Sequence, residues 1–253
     1  MTASFASKLV GWKKSAKNKC AWGLVPNNAD VDNAESLRLA AGVLEALGVS
    51  SDMPSDVPAN PGGPLEQYVQ ADLASELPQL DADRHWRVQA GGLVTEFAQY
   101  AHLKTVDALV QANPELRVTI GRDYLIKPDV TVGLLDLDVL GAPPFLHAAV
   151  SCKWTIRSDR VQNIRHEYGQ LVRHRRGRQP HLVAVTAEPL PSRLASIARG
   201  TGEVDAVYHI AYEALADAVA RVANDAQKAA WDECVGQRRI LPYSALAQTL
   251  ARW

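Results

Sequence analysis

The chain of 253 residues has only three cysteines, Cys20, Cys152 and Cys234. They are odd in number and far apart, and no CxxC pair occurs, which argues against a disulfide framework and against a thiolate zinc site. Cys152 lies in an apolar run and reads as a small buried hydrophobe. No apolar stretch is long enough to cross a bilayer. The N-terminal MTASFASKLVGWKKSAKN lacks the unbroken apolar centre of a signal peptide; its apolar residues suit one side of a surface helix. No membrane partner is therefore expected, and the cytoplasm is the default location. Internal repeats and low-complexity tracts are absent. The formal net charge is only -1, which excludes a uniformly basic nucleic-acid binder.

Hydrophobic residues make up 47% of the chain, ample for a core. The charge is unevenly spread. Residues 153–178 carry eight basic side chains, Lys153, Arg157, Arg160, Arg165, Arg173, Arg175, Arg176 and Arg178, against Asp159 and Glu167. The body outside this stretch is mildly acidic. A local basic face suits a polyanionic partner at one surface; a merely solvated basic helix is the plainer alternative.

Taken in order, the polar VPNNADVDNAES is a loop leading to a helix, SLRLAAGVLEALGV. The Pro- and Gly-rich SDMPSDVPANPGGP is a second loop. Pro64 then opens a helix, LEQYVQADLASEL, with an apolar stripe of Leu65, Tyr68, Val69, Leu73 and Leu77. Glu66 sits off the stripe in the first turn, a place the helix dipole alone would favour for a carboxylate. HWRVQA is a strand, and the spacing predicts one long helix over residues 93–112, stopped by Asn113-Pro114. In DYLIKPDVTVGLLDLDVL the apolar alternation predicts strands, with a bend or bulge at Pro128-Asp129. HAAVSCKW reads as a buried strand. It is followed by a helix whose apolar face is Val161, Ile164, Tyr168, Leu171 and Val172. HLVAVTA and DAVYHIAY are further strands separated by a short helix, PSRLASIA. Strand–helix–strand–helix–strand favours parallel pairing with right-handed crossovers. EALADAVARVANDAQKAAWDECV and YSALAQTLARW read as helical. The expected class is α/β, a mixed central sheet flanked by helices, forming one domain over residues 1–253.

The chemistry gathers around residues 129–178. Phosphodiester hydrolysis near neutral pH needs an activated water and compensation of charge on phosphate and leaving group. Divalent ions held by carboxylates supply both, and Mg²⁺ needs few acidic side chains because it retains waters. Pro128-Asp129 on one strand and Lys153 at the end of another match the PD…(D/E)xK arrangement of many nucleases, except that Ser151 stands where the second acid belongs. Glu167, at the edge of the buried stripe, needs a partner because an unpaired buried charge is costly. That partner is either an arginine such as Arg165 or a metal beside Asp129. Arg157-Ser158-Asp159-Arg160 opens the helix. Ser158 suits a helix cap and Asp159 the first turn. The tip of a helix is also where side chains reach base edges. Arginine pairs with guanine and aspartate accepts from cytosine N4.

These residues resemble those of the NgoMIV group of type II restriction endonucleases, and more loosely the enzymes that read a central CCGG. The resemblance is carried by HAAVSCKWTIRSDRVQNIRHE and VAVTAEPLPSRLASIARGTGEVDAVYH. Weaker similarity runs through NNADVDNAES, LEQYVQADLASEL, FAQYAHL and DYLIKPD, so it spans most of the chain. It implies a PD-(D/E)xK core with Asp129, Lys153 and Glu167 as the catalytic carboxylate, lysine and displaced carboxylate. It further implies Glu66 as a fourth catalytic residue beside the second of two Mg²⁺ ions, and the main-chain carbonyl of Cys152 as a metal ligand. Arg157, Asp159 and Arg160 are implied as readers of the inner CCGG, with Arg193 and Asp30 reading the outer pair. The implied target is GCCGGC in double-stranded DNA, cut after the first G to leave a four-base 5′ overhang. The implied assembly is a homo-oligomer, a dimer of dimers, working beside a cognate DNA methyltransferase. The segment between Asp129 and Lys153 is shorter than in the group. The loop before Glu66 lacks the group's glutamine, for which Asn60 is the available substitute. The rival readings are a structure- or damage-specific nuclease of the same superfamily and a catalytically silent DNA-binding protein.

Overall fold

The computed structural model describes residues 2–15 and 23–252, apart from the Ser158 side chain. Its first segment is not the expected surface helix. Only Ala6–Leu9 (α1) is helical, and Trp12–Lys14 (β1) pairs antiparallel with Leu24–Pro26 (β2). Phe5, Ala6, Leu9 and Val10 are buried, and Phe5 stacks on Tyr68 with ring centroids 4.9 Å apart. An apolar face with an aromatic partner at that distance belongs to the core. The rest of the N-terminal expectation, and Cys20, lie outside the described residues. Cys152 and Cys234 are buried free thiols.

Ala34–Ala46 (α2) is capped by Asn33, whose side chain accepts from the Ser36 N–H. Gly62–Leu80 (α3) buries Leu65, Val69, Leu73 and Leu77, one residue per turn on a single face. It begins before Pro64 and runs on past Leu77, with Pro78 inside it. Trp86–Ala90 (β3) follows as expected.

The single helix expected over 93–112 is broken. Val94–Glu96 and Ala98–Tyr100 are 3₁₀ turns, and only His102–Ala112 (α4) is α-helical. Val94, Phe97, Tyr100 and Leu103 are all buried and recur every three residues, the repeat of a 3₁₀ helix rather than of an α-helix. Gln99 pins this tighter path by bonding both the N–H and the C=O of Leu146, each at 2.8 Å. Asn113 ends α4 and caps a further helix not foreseen, Pro114–Ile120 (α5).

Val130–Leu134 (β4) starts just after Asp129. The bend expected at Pro128-Asp129 is found at Asp129, and a further irregularity lies between Val132 and Gly133. A proline ahead of the strand disturbs no ladder bond, whereas a Cβ on Gly133 would meet the Phe97 ring at 3.1 Å. Next come Phe145–Lys153 (β5), Ser158–His174 (α6), His181–Thr186 (β6), Pro191–Ala198 (α7) and Ala206–His209 (β7). Tyr212–Val222 (α8) and Asp225–Gly236 (α9) are separated at Asn224, which caps α9. The C-terminal stretch is not wholly helical. Arg238 adopts a left-handed φ of 56°, and Ile240–Pro242 (β8) adds a sixth strand before Leu246–Arg252 (α10).

The main sheet has the order β3-β4-β5-β6-β7-β8, antiparallel from β3 to β5 and parallel from β5 to β8. It is the mixed α/β arrangement expected. One face packs against α2, α6, α7, α8 and α9, the other against the N-terminal segment, α3 and α10. Residues of β5 and β6 are buried on both faces, which is why these strands read as unbroken apolar runs. Their parallel register sets the starts of α6 and α7 at the same edge of the sheet. Among the described residues no helix is long and apolar enough to cross a membrane.

Candidate active site

Antiparallel pairing sets Val130 opposite Val150. Asp129, at the threshold of β4, therefore meets the last residues of β5. Its Oδ2 accepts from Lys153 Nζ at 2.6 Å, from the Cys152 N–H at 2.7 Å and from Ser151 Oγ at 3.2 Å. Ser151, standing where the motif expects an acid, thus orients the first carboxylate. Cys152 takes part through its main chain. Its thiol is fully buried, and burial, reinforced by the charges of Asp129 and Glu66, pushes it well above the ordinary thiol range.

Glu167 lies on α6 beside the buried Ile164, Tyr168 and Leu171. Burial raises its carboxyl above the ordinary glutamate value; Lys153 opposes the rise and Asp129 adds to it. Glu66 comes from α3, on the other face of the sheet. Burial raises it too, Asp129 adds, and Lys153 opposes. The same two charges thus act on both glutamates, so helices from opposite layers each bring a carboxylate within electrostatic reach of Asp129 and Lys153. Arg165, the ordinary partner for Glu167, instead donates to the Arg199 carbonyl.

Among the described residues, no three His, Cys, Asp or Glu side chains are already gathered as a metal cluster. The donor set nevertheless fits a hard divalent cation. Asp129 opposes the ionisation of Glu66 and Glu167, a repulsion that a cation between them relieves. Carboxylate oxygens, few in number and supplemented by water, are what Mg²⁺ prefers.

A second cluster lies where α6 and α7 begin. The cap position of α6 is Arg157, with extended backbone and no side-chain cap bond, so Ser158 is the first helical residue rather than the cap; its side chain lies outside the described residues. Arg157 and Asp159 are exposed. Arg160 Nη1 donates to the Thr155 carbonyl at 2.6 Å and to Thr155 Oγ1 at 3.2 Å, bracing the turn out of β5. On α7, Arg193 Nη2 meets Asp30 Oδ2 at 2.5 Å and holds that carboxyl below the ordinary aspartate value. The Asp30 loop is tied down by Asn28 Nδ2 donating to the Ala187 carbonyl at 2.8 Å and Trp154 Nε1 donating to the Asn27 carbonyl at 3.2 Å. Asp30, Arg157 and Arg193 line one groove of about 700 Å³ together with Gln162 and Ser192. Residues from three distant stretches of chain are thereby brought together. Asp159 and Arg160 do not line it.

Sequence reasoning missed Glu188. Its side chain is fully buried behind this groove. Oε2 accepts from the Ile156 N–H at 2.7 Å, Oε1 accepts from the Leu190 N–H at 3.1 Å, and Arg193 Nη1 lies 3.9 Å away. Burial raises the carboxyl to about 7 against the pull of these donors. The available signal was an acid placed directly after the apolar run HLVAVTA.

The family model described as NgoMIV restriction enzyme matches residues 8–138 and 139–251. The type II restriction enzyme NgoMIV of Neisseria gonorrhoeae is 40% identical in an alignment 219 residues long that covers 74% of this chain and 76% of that protein.

Proposed function

The chain belongs to the NgoMIV restriction enzyme family, and from that premise we propose that Asp129, Lys153, Glu167 and Glu66 cut the phosphodiester while Arg157, Asp159, Arg160, Arg193 and Asp30 choose where. Membership makes it a type II site-specific deoxyribonuclease acting on double-stranded DNA. The finer reading is Mg²⁺-dependent cleavage of G^CCGGC with a four-base 5′ overhang. The observation that carries it is the Lys153–Asp129 contact at 2.6 Å, with both glutamates under the influence of that same pair.

Two Mg²⁺ ions held by Asp129, Glu167, Glu66 and the Cys152 carbonyl would neutralise phosphate charge and acidify a water. The chain's own groups prepare for this. Asp129 is aimed by three donors. Lys153 keeps an ammonium where the phosphate and attacking water arrive, which orients the nucleophile and offsets negative charge. Glu167 and Glu66, raised by burial, take on their full charge most readily once a cation lies beside them. At the tip of α6, Arg157 and Arg160 suit guanine O6 and N7, and Asp159 suits cytosine N4.

A palindromic target asks for a two-fold symmetric protein, and we read the assembly as a dimer of dimers. The exposed Leu137, Val139 and Leu140, within the shortened segment between Asp129 and Lys153, support self-association at that face. The domain is single, the setting is the cytoplasm, and a methyltransferase protects the host's own sites. Sequencing the ends of digested genomic DNA tests the target and the cut position together. Uniform ends beginning CCGGC support the reading; ragged ends, or ends set by DNA structure, contradict it.

A further inference from the structure

We propose that Glu188 is a positioning residue that fixes the two base-reading stations relative to each other, one carboxylate oxygen holding the turn into α6 and the other the start of α7. The proposal rests on the reading that Arg157, Asp159 and Arg160 contact the inner bases and Arg193 and Asp30 the outer ones.

The geometry is specific. Ile156, whose N–H meets Oε2, directly precedes Arg157 at the tip of α6. Leu190, whose N–H meets Oε1, is the cap residue of α7, and Arg193 lies one turn further on. Both amides stand at helix starts, where backbone donors lack intrahelical partners. The main chain of Glu188 is itself held: its N–H donates to Thr186 Oγ1 at 3.1 Å, and His209 Nε2 lies 3.2 Å from its carbonyl. The carboxylate is thus fixed to the ends of β6 and β7 and reaches from there to both reading elements.

An ionised carboxylate offers both oxygens as full acceptors to these donors, and protonation weakens one of them. An apolar residue of similar size would leave two buried N–H groups unpaired. Glutamine accepts on one oxygen and presents an amide N–H₂ where the second acceptor is needed. Keeping a charge fully buried is costly, so a residue serving the core alone would not be expected to carry one. The charged and titratable groups facing it are Arg193 from α7, Asp30 from the loop before α2, and His209 from β7, whose own pKa burial lowers to about 4. Arg157 acts on Asp30 rather than on Glu188 directly. Burial thus raises the Glu188 carboxyl to about 7, whereas Asp30 is lowered and His209 is lowered to about 4.

The test is equilibrium binding in Ca²⁺ to three duplexes: GCCGGC, one altered only at the outer pair, and one altered only in the inner four. Glu188→Gln is expected to lower discrimination against both altered duplexes by about tenfold, within the range one misplaced bidentate contact gives. It removes a buried charge but leaves one buried N–H unpaired, so the unfolding temperature is measured alongside to establish that the variant is folded. Arg193→Ala should lower the outer ratio alone. If Glu188→Gln keeps both ratios, or loses only the outer one, while Arg193→Ala behaves as expected, Glu188 does not couple the stations. If Arg193→Ala leaves the outer ratio intact, the underlying assignment of readers is wrong, and the proposal goes with it. Should Glu188→Gln fail to fold, a pH series on the unaltered protein decides. Both ratios should fall as pH drops through about 7; ratios flat from pH 8 to 6 overturn the proposal. Protonation of Glu66 or Glu167 affects every duplex alike and cancels in the ratio.

Discussion

At one end of β5, Asp129 and its partner Lys153 act on both Glu66 and Glu167. A few residues further on, where α6 and α7 begin, acid and base are matched: Arg193 with Asp30, Glu188 with two amides, Arg160 with Thr155. In the first region burial raises both glutamates and Asp129 adds to the rise, which a bound cation would offset. In the second, Arg193, Asp30, Arg160 and Glu188 each have a hydrogen-bonding partner within the chain. The contrast separates two demands. Metal chemistry needs acceptors left short of positive charge until the ion binds, whereas base reading needs side chains held in place before DNA arrives.

The largest effect that would sharpen this contrast is on cleavage. Lys153→Ala should slow it by about a thousandfold or more, the scale of losing a charge at the reacting phosphate, while leaving site-specific binding in Ca²⁺ intact. Loss of binding as well would make Lys153 a structural partner of Asp129 and erase the division. Arg193→Ala should cost about 1–3 kcal/mol of selectivity at the outer base pair and leave the cleavage rate at saturating DNA nearly unchanged. Binding to duplexes differing at that pair reads this directly.

The pH dependence of stability divides the regions more gently. The carboxyls of Glu66, Glu167 and Glu188 all lie above the value of about 4.3 expected in an unfolded chain. The folded protein therefore binds more protons, and stability in EDTA should fall as pH rises from that value, through about 7 in the case of Glu188. Ca²⁺ should flatten the part due to Glu66 and Glu167 and leave the part due to Glu188. Unfolding midpoints against pH, with and without Ca²⁺, measure both. The smallest effect concerns Glu167→Gln in EDTA, which should raise stability by on the order of 1 kcal/mol or less, the scale of a partly solvated charge interaction. A fall would mean that Glu167 has a stabilising partner in the free protein.

Much of this was legible before the fold was known, for physical reasons. Strands buried on both faces, as β5 and β6 are, must be apolar throughout, and the alternation with α6 and α7 follows. The spacing of Ile164, Tyr168 and Leu171 marked the face that carries Glu167 to the sheet. Asp129 and Lys153 stood out as the ends of neighbouring strands. Other features were hidden because local pattern does not decide them. The three-residue β8 is too short to show a period. Residues 93–112 have helical composition, yet Gln99 bonding to Leu146 commits the 3₁₀ turns ahead of α4 to a tighter path. Pro128 drew attention from Gly133, where the ladder slips. Glu188 escaped because its worth lies in joining its own turn, through the Leu190 N–H, to the Ile156 N–H at the end of another strand, a pairing that no spacing along the chain reveals.

The most direct test is calorimetric titration of Ca²⁺ into the protein bound to a GCCGGC duplex, for the unaltered chain, Asp129→Asn, Glu66→Gln and Glu167→Gln. Saturable binding to the unaltered chain that each substitution weakens at least about tenfold is the expected result, since each removes a charged oxygen donor. Undiminished binding by Glu167→Gln would contradict it, because the acid on α6 would then not share the cation with Asp129.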